Sequence, residues 1–344
     1  MSYIILLLFI IVLLLIGVVS NKNRILFLIF LVLSLFSGFR YDVGTDYMSY
    51  SKTFDYLESY NPFIELGFTY LLYFVKYIGG TQQLVFLIFA ICTQFLFIKF
   101  IKTYSRFPLI STLTYICIGP FFLASLSGIR QYLAISIFLY SLKFIIEKKI
   151  IKYLLVIFFA AFFSHFSILL LIPFYFLLSE EISFKKKCVF IAITLVGSWL
   201  LSAIISMTIY SRFLEVESKG YTINFTVYVF IIISIIILFF EKKNTDSKLT
   251  IFYNMNFFSL LCMIVMLLNS GLTADIFLRT NNYFMVSYIV LIPSLVLQFK
   301  EVDTKMVFYT LYITVLLAYF YRNTMINGFE GHLLPYSTNF NLFI

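Results

Sequence analysis

Apolar runs of helical length recur along the 344 residues, separated by short breaks that carry lysine. Read as helices, they occupy roughly 3–19, 25–39, 83–101, 108–126, 129–146, 151–163, 166–178, 188–210, 225–240, 249–268, 282–299 and 305–321. Backbone groups in hydrocarbon must find partners within the protein, and the runs lack the alternation of barrel strands, so helices are the spanning element. The expected fold is an all-α polytopic membrane protein of about twelve transmembrane helices, with residues 1–344 forming a single integral membrane domain. The first run has no basic leader and no small-residue cleavage site, so it reads as a retained helix rather than a signal peptide. No internal repeat is evident, which counts against transporter folds built from paired repeats.

Two segments need a decision. Residues 63–78 carry Phe68, Leu71, Leu72, Val75 and Ile78 on one helical face and Thr69, Tyr70, Tyr73, Lys76 and Tyr77 on the other. That division suits an interfacial helix lying in the headgroup plane rather than a span. Residues 151–178 read as two short helices meeting at Ser164-His165-Phe166-Ser167. Each has about 13 residues, or roughly 20 Å, against a hydrocarbon core of about 30 Å. His165 is therefore expected in a recess below the surface.

Composition sharpens the picture. Hydrophobic residues make up 62% of the chain and charged ones 12%, yet the net charge is +9. With the two decisions above, the clusters Lys22/Arg24, Lys99/Lys102/Arg106, Lys148/Lys149/Lys152, Lys185–Lys187, Lys242/Lys243/Lys248 and Lys300/Lys305 fall on one side. The positive-inside rule makes that side the cytoplasm, and the excess charge needs no nucleic-acid partner. The four cysteines lie far apart in apolar runs with no CxxC, so neither a disulfide framework nor a zinc site is expected. No metal or cofactor is expected, and no phosphate loop, GxSxG or HExxH occurs.

The outward side differs in chemistry. Arg40, Arg130, Arg212, Arg279 and Arg322 face outward, as do His165 and His332, whereas the inside is mostly lysine. Anchoring asks only for positive charge; a guanidinium adds a planar fork suited to phosphate oxygens. Arg130 follows Ser127, a candidate N-cap, and falls in the first turn of a helix beside the positive end of its dipole. A cation there is unfavourable for structure but suited to gripping an anion together with the helix N-terminus. The polar stretch 38–65, an external loop, sets Arg40 beside Asp42, Asp46 and Tyr47 around Gly44, a combination for sugar hydroxyls and phosphate. Glu65 opens the interfacial helix, and Gln131 follows Arg130. Asp275 and Arg279, four residues apart, are either a local helical ion pair or a substrate contact. Residues 332–336 form a lid or interfacial segment.

With these residues placed, the chain resembles the EpsG family of bacterial polysaccharide polymerases, relatives of the Wzy O-antigen polymerases. The matching pieces are Arg40-x-Asp-Val-Gly-Thr-Asp-Tyr47, Glu65-x-Gly-Phe68, Ile129-Arg-Gln131, the break at His165-Phe-Ser167, and Asp275-x-x-x-Arg279 before Tyr283-Phe284. Phe63-Ile-Glu-Leu stands where a proline near the glutamate is expected. The resemblance implies a metal-independent, GT-C-like glycosyltransferase of the bacterial plasma membrane with its active site facing outward. Its substrates would be oligosaccharide repeats on polyprenyl pyrophosphate, and its partners membrane lipid, a flippase and a chain-length regulator. On that reading Arg130 and Arg279, with Arg40, stabilise the departing pyrophosphate, and His165 or Asp46 is the general base. His165 is favoured because imidazole titrates near neutrality. Asp42, Tyr47, Glu65, Gln131 and Asp275 complete the substrate contacts. Two rivals are a lipid-linked-oligosaccharide flippase and a membrane acyltransferase acting on surface glycans.

Overall fold

The computed structural model describes residues 1–57, 64–206, 225–241, 247–269 and 271–343. Arg212, Lys242 and Lys243 lie outside the described residues. Within them the protein is almost wholly helical, and five helices are long and apolar enough to cross a bilayer: Ser2–Val19, Gln82–Tyr104, Ile129–Ile146, Lys248–Leu268 and Val302–Ile326. The pair Thr273–Met285 and Tyr288–Gln298, bent by 51°, makes a sixth if it is one broken span. The protein is thus a polytopic helical membrane protein.

Several expected runs form helices interrupted where the covalent chain demands it. The run 108–126 divides into Pro108–Cys117 and Phe122–Ser125. Pro120 offers no amide hydrogen and disfavours helical geometry at Gly119, so the ladder cannot continue through the pair. The run 166–178 becomes the 3-10 turn Phe166–Leu171 and the helix Phe174–Ser179, on either side of Pro173. The helix Gly271–Met285 begins eleven residues before the expected 282 and carries Asp275 and Arg279 on it.

The chain forms two compact units. The first comprises Met1–Lys143, Ile151–Leu169 and Phe299–Ile344; the second comprises Phe144–Ile150 and Leu170–Gln298. In the first, Lys22–Gly38 packs along Gln82–Tyr104, and Val302–Tyr321 packs on Pro108–Cys117. The Asn21 side chain accepts from the Asn23 amide at 3.0 Å and so caps Lys22–Gly38. Whole faces of Ser2–Val19 and Val302–Tyr321 expose large hydrophobics such as Ile5, Leu8, Phe9, Val307, Leu311 and Val315, the pattern of lipid-facing helices.

The segment 63–78 is the helix Leu66–Tyr77. Phe68, Leu72 and Val75 are buried in a cluster with Phe86 and Phe89, while Tyr70, Tyr73, Lys76 and Tyr77 face outward, as its two-sided pattern predicts. Ile78 departs from the pattern and is exposed. At about 18 Å, this helix is too short to cross a bilayer.

In the second unit Ser247–Leu268 is central and packs against Gly271–Met285, Phe225–Phe239, Phe174–Ser179 and Phe184–Ser206. Its polar side chains close neighbouring helix ends. Asn254 donates to the carbonyls of Leu178 at 3.2 Å and Glu180 at 2.8 Å, where Phe174–Ser179 terminates. The Ser259 hydroxyl donates to Asn281 Oδ1 at 2.6 Å.

Candidate active site

The first unit holds the polar constellation, and its foundation is Arg40. The side chain is fully buried. Its Nε donates to the carbonyls of Val43 at 3.2 Å and Leu126 at 3.1 Å, its Nη1 donates to Ser37 O at 2.5 Å, and the guanidinium stacks 4.7 Å from the Phe86 ring centre. Burial pulls its pKa down to about 10, opposed by nearby tyrosines, so it remains a cation at neutral pH. Arg40 is therefore a structural pin and not the surface cation that the loop sequence indicates. It ties residues 37–43 to Leu126, four residues before Arg130.

Two more contacts fix this loop. Gly44 adopts φ +97°, and a Cβ there would lie 2.4 Å from Leu126 O, so only glycine fits against that turn. Beside it the Thr45 amide donates to Ser127 Oγ at 3.1 Å. The hydroxyl expected to cap Ile129–Ile146 thus reaches across to the loop. Tyr47 is buried, stacked on Phe86 at 4.6 Å, and donates to Gln83 Oε1 at 3.4 Å. Gln83 in turn donates to the Gly38 and Arg40 carbonyls. Burial pushes the Tyr47 phenol up to about 12, which keeps it a neutral donor inside the core rather than an exposed sugar contact. Asp42, with φ 51°, and Asp46 stay exposed.

The C-terminal segment, expected as a lid or interfacial segment, straps this loop down. Ser337–Thr338 pairs antiparallel with Arg40–Tyr41. The Gly44 amide donates to His332 O at 2.8 Å, and Tyr336 stacks on Phe36 at 4.2 Å while its hydroxyl donates to Phe36 O. The Thr81 amide donates to Leu342 O at 2.8 Å. The 332–336 segment is a strap whose backbone serves the loop.

Glu65 is the centre of the site. It is buried at the start of Leu66–Tyr77, and its two oxygens serve different partners. Oε2 forms an ion pair with Arg130 Nη1, and Oε1 accepts from the Phe166 amide at 3.1 Å. One carboxylate thus joins the Arg130 side chain, on the first turn of Ile129–Ile146, to the amide that opens the turn Phe166–Leu171. It offsets the cost of placing Arg130 in the first turn of its helix. Gly67 makes the approach possible: a Cβ there would sit 2.7 Å from Phe162 O, so only a glycine lets this helix abut the chain just before the break.

Arg130 is held flat by aromatic neighbours, its guanidinium carbon 5.3 Å from the Phe68 ring centre and 5.6 Å from that of Tyr50. Its Nε is buried without a hydrogen-bond partner, and the side chain keeps 18% exposure. Asp46 stands at the head of the helix Tyr47–Asp55, one turn before Tyr50, whose amide donates to Asp46 O. The helix Ile150–Phe163 ends at Ser164, placing His165 at the break as expected, half-buried. Its Nδ1 accepts the Ser167 amide at 3.1 Å and lies 2.8 Å from Ser167 Oγ. Gln131 is half-buried beside Arg130. Among the described residues no group of three or more His, Cys, Asp or Glu is arranged to hold a metal.

The structure therefore brings together four distant parts of the sequence: the loop at Arg40–Tyr47, Glu65, Arg130 and His165. Residues 23–338 match the EpsG family. The chain belongs to the EpsG family. This is a family of Wzy-type polymerases, and the match spans nearly the whole chain. No curated protein and no solved structure matches. Each motif quoted for the family resemblance from the first unit makes a contact with another: Gly44 meets the Leu126 turn before Ile129-Arg-Gln131, Gly67 the Phe162 carbonyl before the break, and Glu65 both the Arg130 guanidinium and the Phe166 amide. The remaining motif, Asp275 and Arg279, lies in the second unit as an i,i+4 pair at 3.3 Å on an exposed helical face.

Proposed function

We propose that this EpsG-family protein polymerises oligosaccharide repeats carried on polyprenyl pyrophosphate, at the outer face of a bacterial plasma membrane. The observation that carries the reading is the buried Glu65 carboxylate bridging Arg130 to the His165-Phe166 break. The pair fixes Arg130, which keeps partial exposure in the first turn of Ile129–Ile146, a setting that favours phosphate oxygens. The lipid-facing helices suit polyprenyl chains, and the exposed acids and tyrosines of the 40–56 stretch suit sugars. The orientation with lysine clusters inside, about twelve spans and a GT-C-like arrangement belongs to the same proposal, as do a flippase and a chain-length regulator as partners.

The reaction is a single in-line displacement. The terminal hydroxyl of the incoming repeat attacks the anomeric carbon of the growing chain, and a new C–O bond forms. The bond from that carbon to the pyrophosphate oxygen breaks, and its electron pair leaves with the phosphate. Arg130 stabilises the charge that develops there. The hydroxyl proton passes to a base, for which the site offers His165 and Asp46. Arg40 acts at one remove by holding Leu126 and the loop.

The test is elongation of a lipid-linked repeat by the purified protein in vesicles. Wild type should give a ladder of longer glycans on the lipid. Movement of the lipid-linked repeat across the bilayer with no ladder would make the protein a flippase, and acylated repeats of unchanged length would make it an acyltransferase.

A further inference from the structure

We infer that the Tyr50 hydroxyl is a substrate contact of this site, donating to the pyrophosphate oxygens that Arg130 holds. The inference rests on the polymerase reading and names a further residue for its leaving group. Its basis is packing. Tyr50 lies on Tyr47–Asp55, one turn after Tyr47, and its amide donates to Asp46 O at 3.1 Å. Its ring meets Phe68 edge-on at 6.2 Å and Phe86 at 6.3 Å. Phe86 is also the ring on which Tyr47 stacks and over which the Arg40 guanidinium lies. The pins that set the loop therefore set Tyr50 as well. The Arg130 guanidinium carbon stands 5.6 Å from the Tyr50 ring centre and 5.3 Å from that of Phe68, so both rings wall it.

The hydroxyl end of this ring is turned to Arg130. Burial pushes the phenol up, the Asp46 charge adds to the rise, and Arg130 pulls it part of the way back through its charge and through hydrogen bonds from its guanidinium and its backbone amide. The phenol therefore stays protonated at neutral pH. Guanidinium and amide N–H groups only donate, so toward Arg130 the phenolic oxygen is the acceptor. Its one hydrogen is then directed away from Arg130, as a donor to another oxygen. A hydroxyl that accepts from a cation is polarised and donates more strongly.

The place is suited to an anion. The Arg130 amide belongs to the first turn of Ile129–Ile146, and first-turn N–H groups have no partner within their own helix. Tyr50 is half-buried and the Arg130 side chain keeps 18% exposure, so both can meet a ligand. When the bond from the anomeric carbon to the pyrophosphate breaks, its electron pair goes to the phosphate oxygen. The Tyr50 O–H donates a hydrogen bond to that charge and keeps its proton, so it strengthens as the charge develops.

Two measurements decide this. Tyr50→Phe removes the oxygen and keeps the ring that packs on Phe68, Phe86 and the guanidinium. In the elongation assay its kcat should fall about 100-fold, as for loss of one charge-stabilising donor, with the level in the membrane unchanged. A rate within about twofold of wild type overturns the inference and leaves Tyr50 as a wall for Arg130. The second measurement does not depend on how well that variant folds. A 3-fluorotyrosine placed at position 50 alone reports this ring by fluorine NMR while inorganic pyrophosphate is added to the full-length protein. Its resonance should shift to saturation, and the shift should be lost when Arg130→Ala and Glu65→Gln are combined. A resonance that does not move, or that moves equally in the double variant, overturns the inference. If the wild-type protein does not elongate the repeat, the polymerase reading falls, and the fluorine titration alone decides whether Tyr50 belongs to a phosphate site.

Discussion

Two arginine–carboxylate pairs stand on the two compact units, and they have little in common. Arg130 and Glu65 are 65 positions apart; the carboxylate side chain is 3% exposed and spends its second oxygen on a backbone amide. Arg279 and Asp275 lie one helical turn apart at 3.3 Å, with side-chain exposures of 51% and 22%. In the sequence both look like outward arginines suited to phosphate. In the structure the first pair joins three chain segments, and the second spans one turn of a single helix. A buried pair is costly to assemble and more costly to break, since removing one partner strands the other charge. An exposed i,i+4 pair contributes a few tenths of a kcal/mol. Burial of the carboxylate, rather than the presence of arginine, separates a site from a surface.

The largest effect should come from Arg130. Arg130→Ala should lower elongation by about 1000-fold, and Arg130→Lys should recover little of it, because a point charge cannot replace a planar fork. The alanine variant also leaves Glu65 buried and unpaired, at a cost of about 3–5 kcal/mol. Its level in the membrane should fall accordingly. Adding Glu65→Gln should restore the level but not elongation, which separates chemistry from folding. Lysine at near-normal rate would reduce Arg130 to a structural cation.

Glu65→Gln alone comes next. The amide oxygen can still accept the Phe166 N–H, so the break should persist, while the charge holding Arg130 is gone. Elongation should fall about 30-fold, mainly in kcat, with the protein folded. An unchanged rate would mean that Arg130 is positioned by Tyr50 and Phe68 without help from the carboxylate.

Gly67→Ala tests whether the approach of Leu66–Tyr77 to Phe162 builds the site. The added methyl meets Phe162 O at 2.7 Å, a backbone atom that cannot swing aside. The helix must shift, and elongation should drop about tenfold with a Tm lower by several degrees, roughly the effect of 1–2 kcal/mol. Full activity with unchanged Tm would show that the contact is slack.

Much of this was legible from the chain, and the parts that were not share a cause. The two-sided pattern of residues 63–78 gave the helix and its buried face, because periodicity reports burial directly. The break at His165 followed from the length of 151–178. Glu65, Arg130 and His165 could be picked out by residue type and position near membrane exits. Their mutual contacts could not, since a local pattern says nothing of which distant segment satisfies a buried charge. Arg40 and Tyr47 show the same limit from the other side. Both look like substrate contacts in a polar loop, yet both are buried, because the strap at 332–342 and Gln83 cover that loop. The breaks at Pro120 and Pro173 were visible in the sequence, but hydropathy alone ran through them.

The smallest effect is expected at Arg279, and it is the sharpest check on the comparison. Its motif is among the pieces of the family resemblance, as that of Arg130 is, and the sequence makes both arginines candidates for the pyrophosphate. The structure places its guanidinium beside Asp275 on an exposed face of Gly271–Met285. Exposed pairs of this spacing contribute roughly 0.3–0.5 kcal/mol. Arg279→Ala should therefore leave the protein level unchanged and elongation within about threefold of wild type, with the KM for the lipid-linked donor also within threefold. Arg279→Lys should be indistinguishable from wild type. A loss approaching that of Arg130→Ala, carried by KM and not rescued by lysine, would show that Arg279 meets the substrate despite its exposure. Burial would then be no guide to which arginine of this protein grips the pyrophosphate.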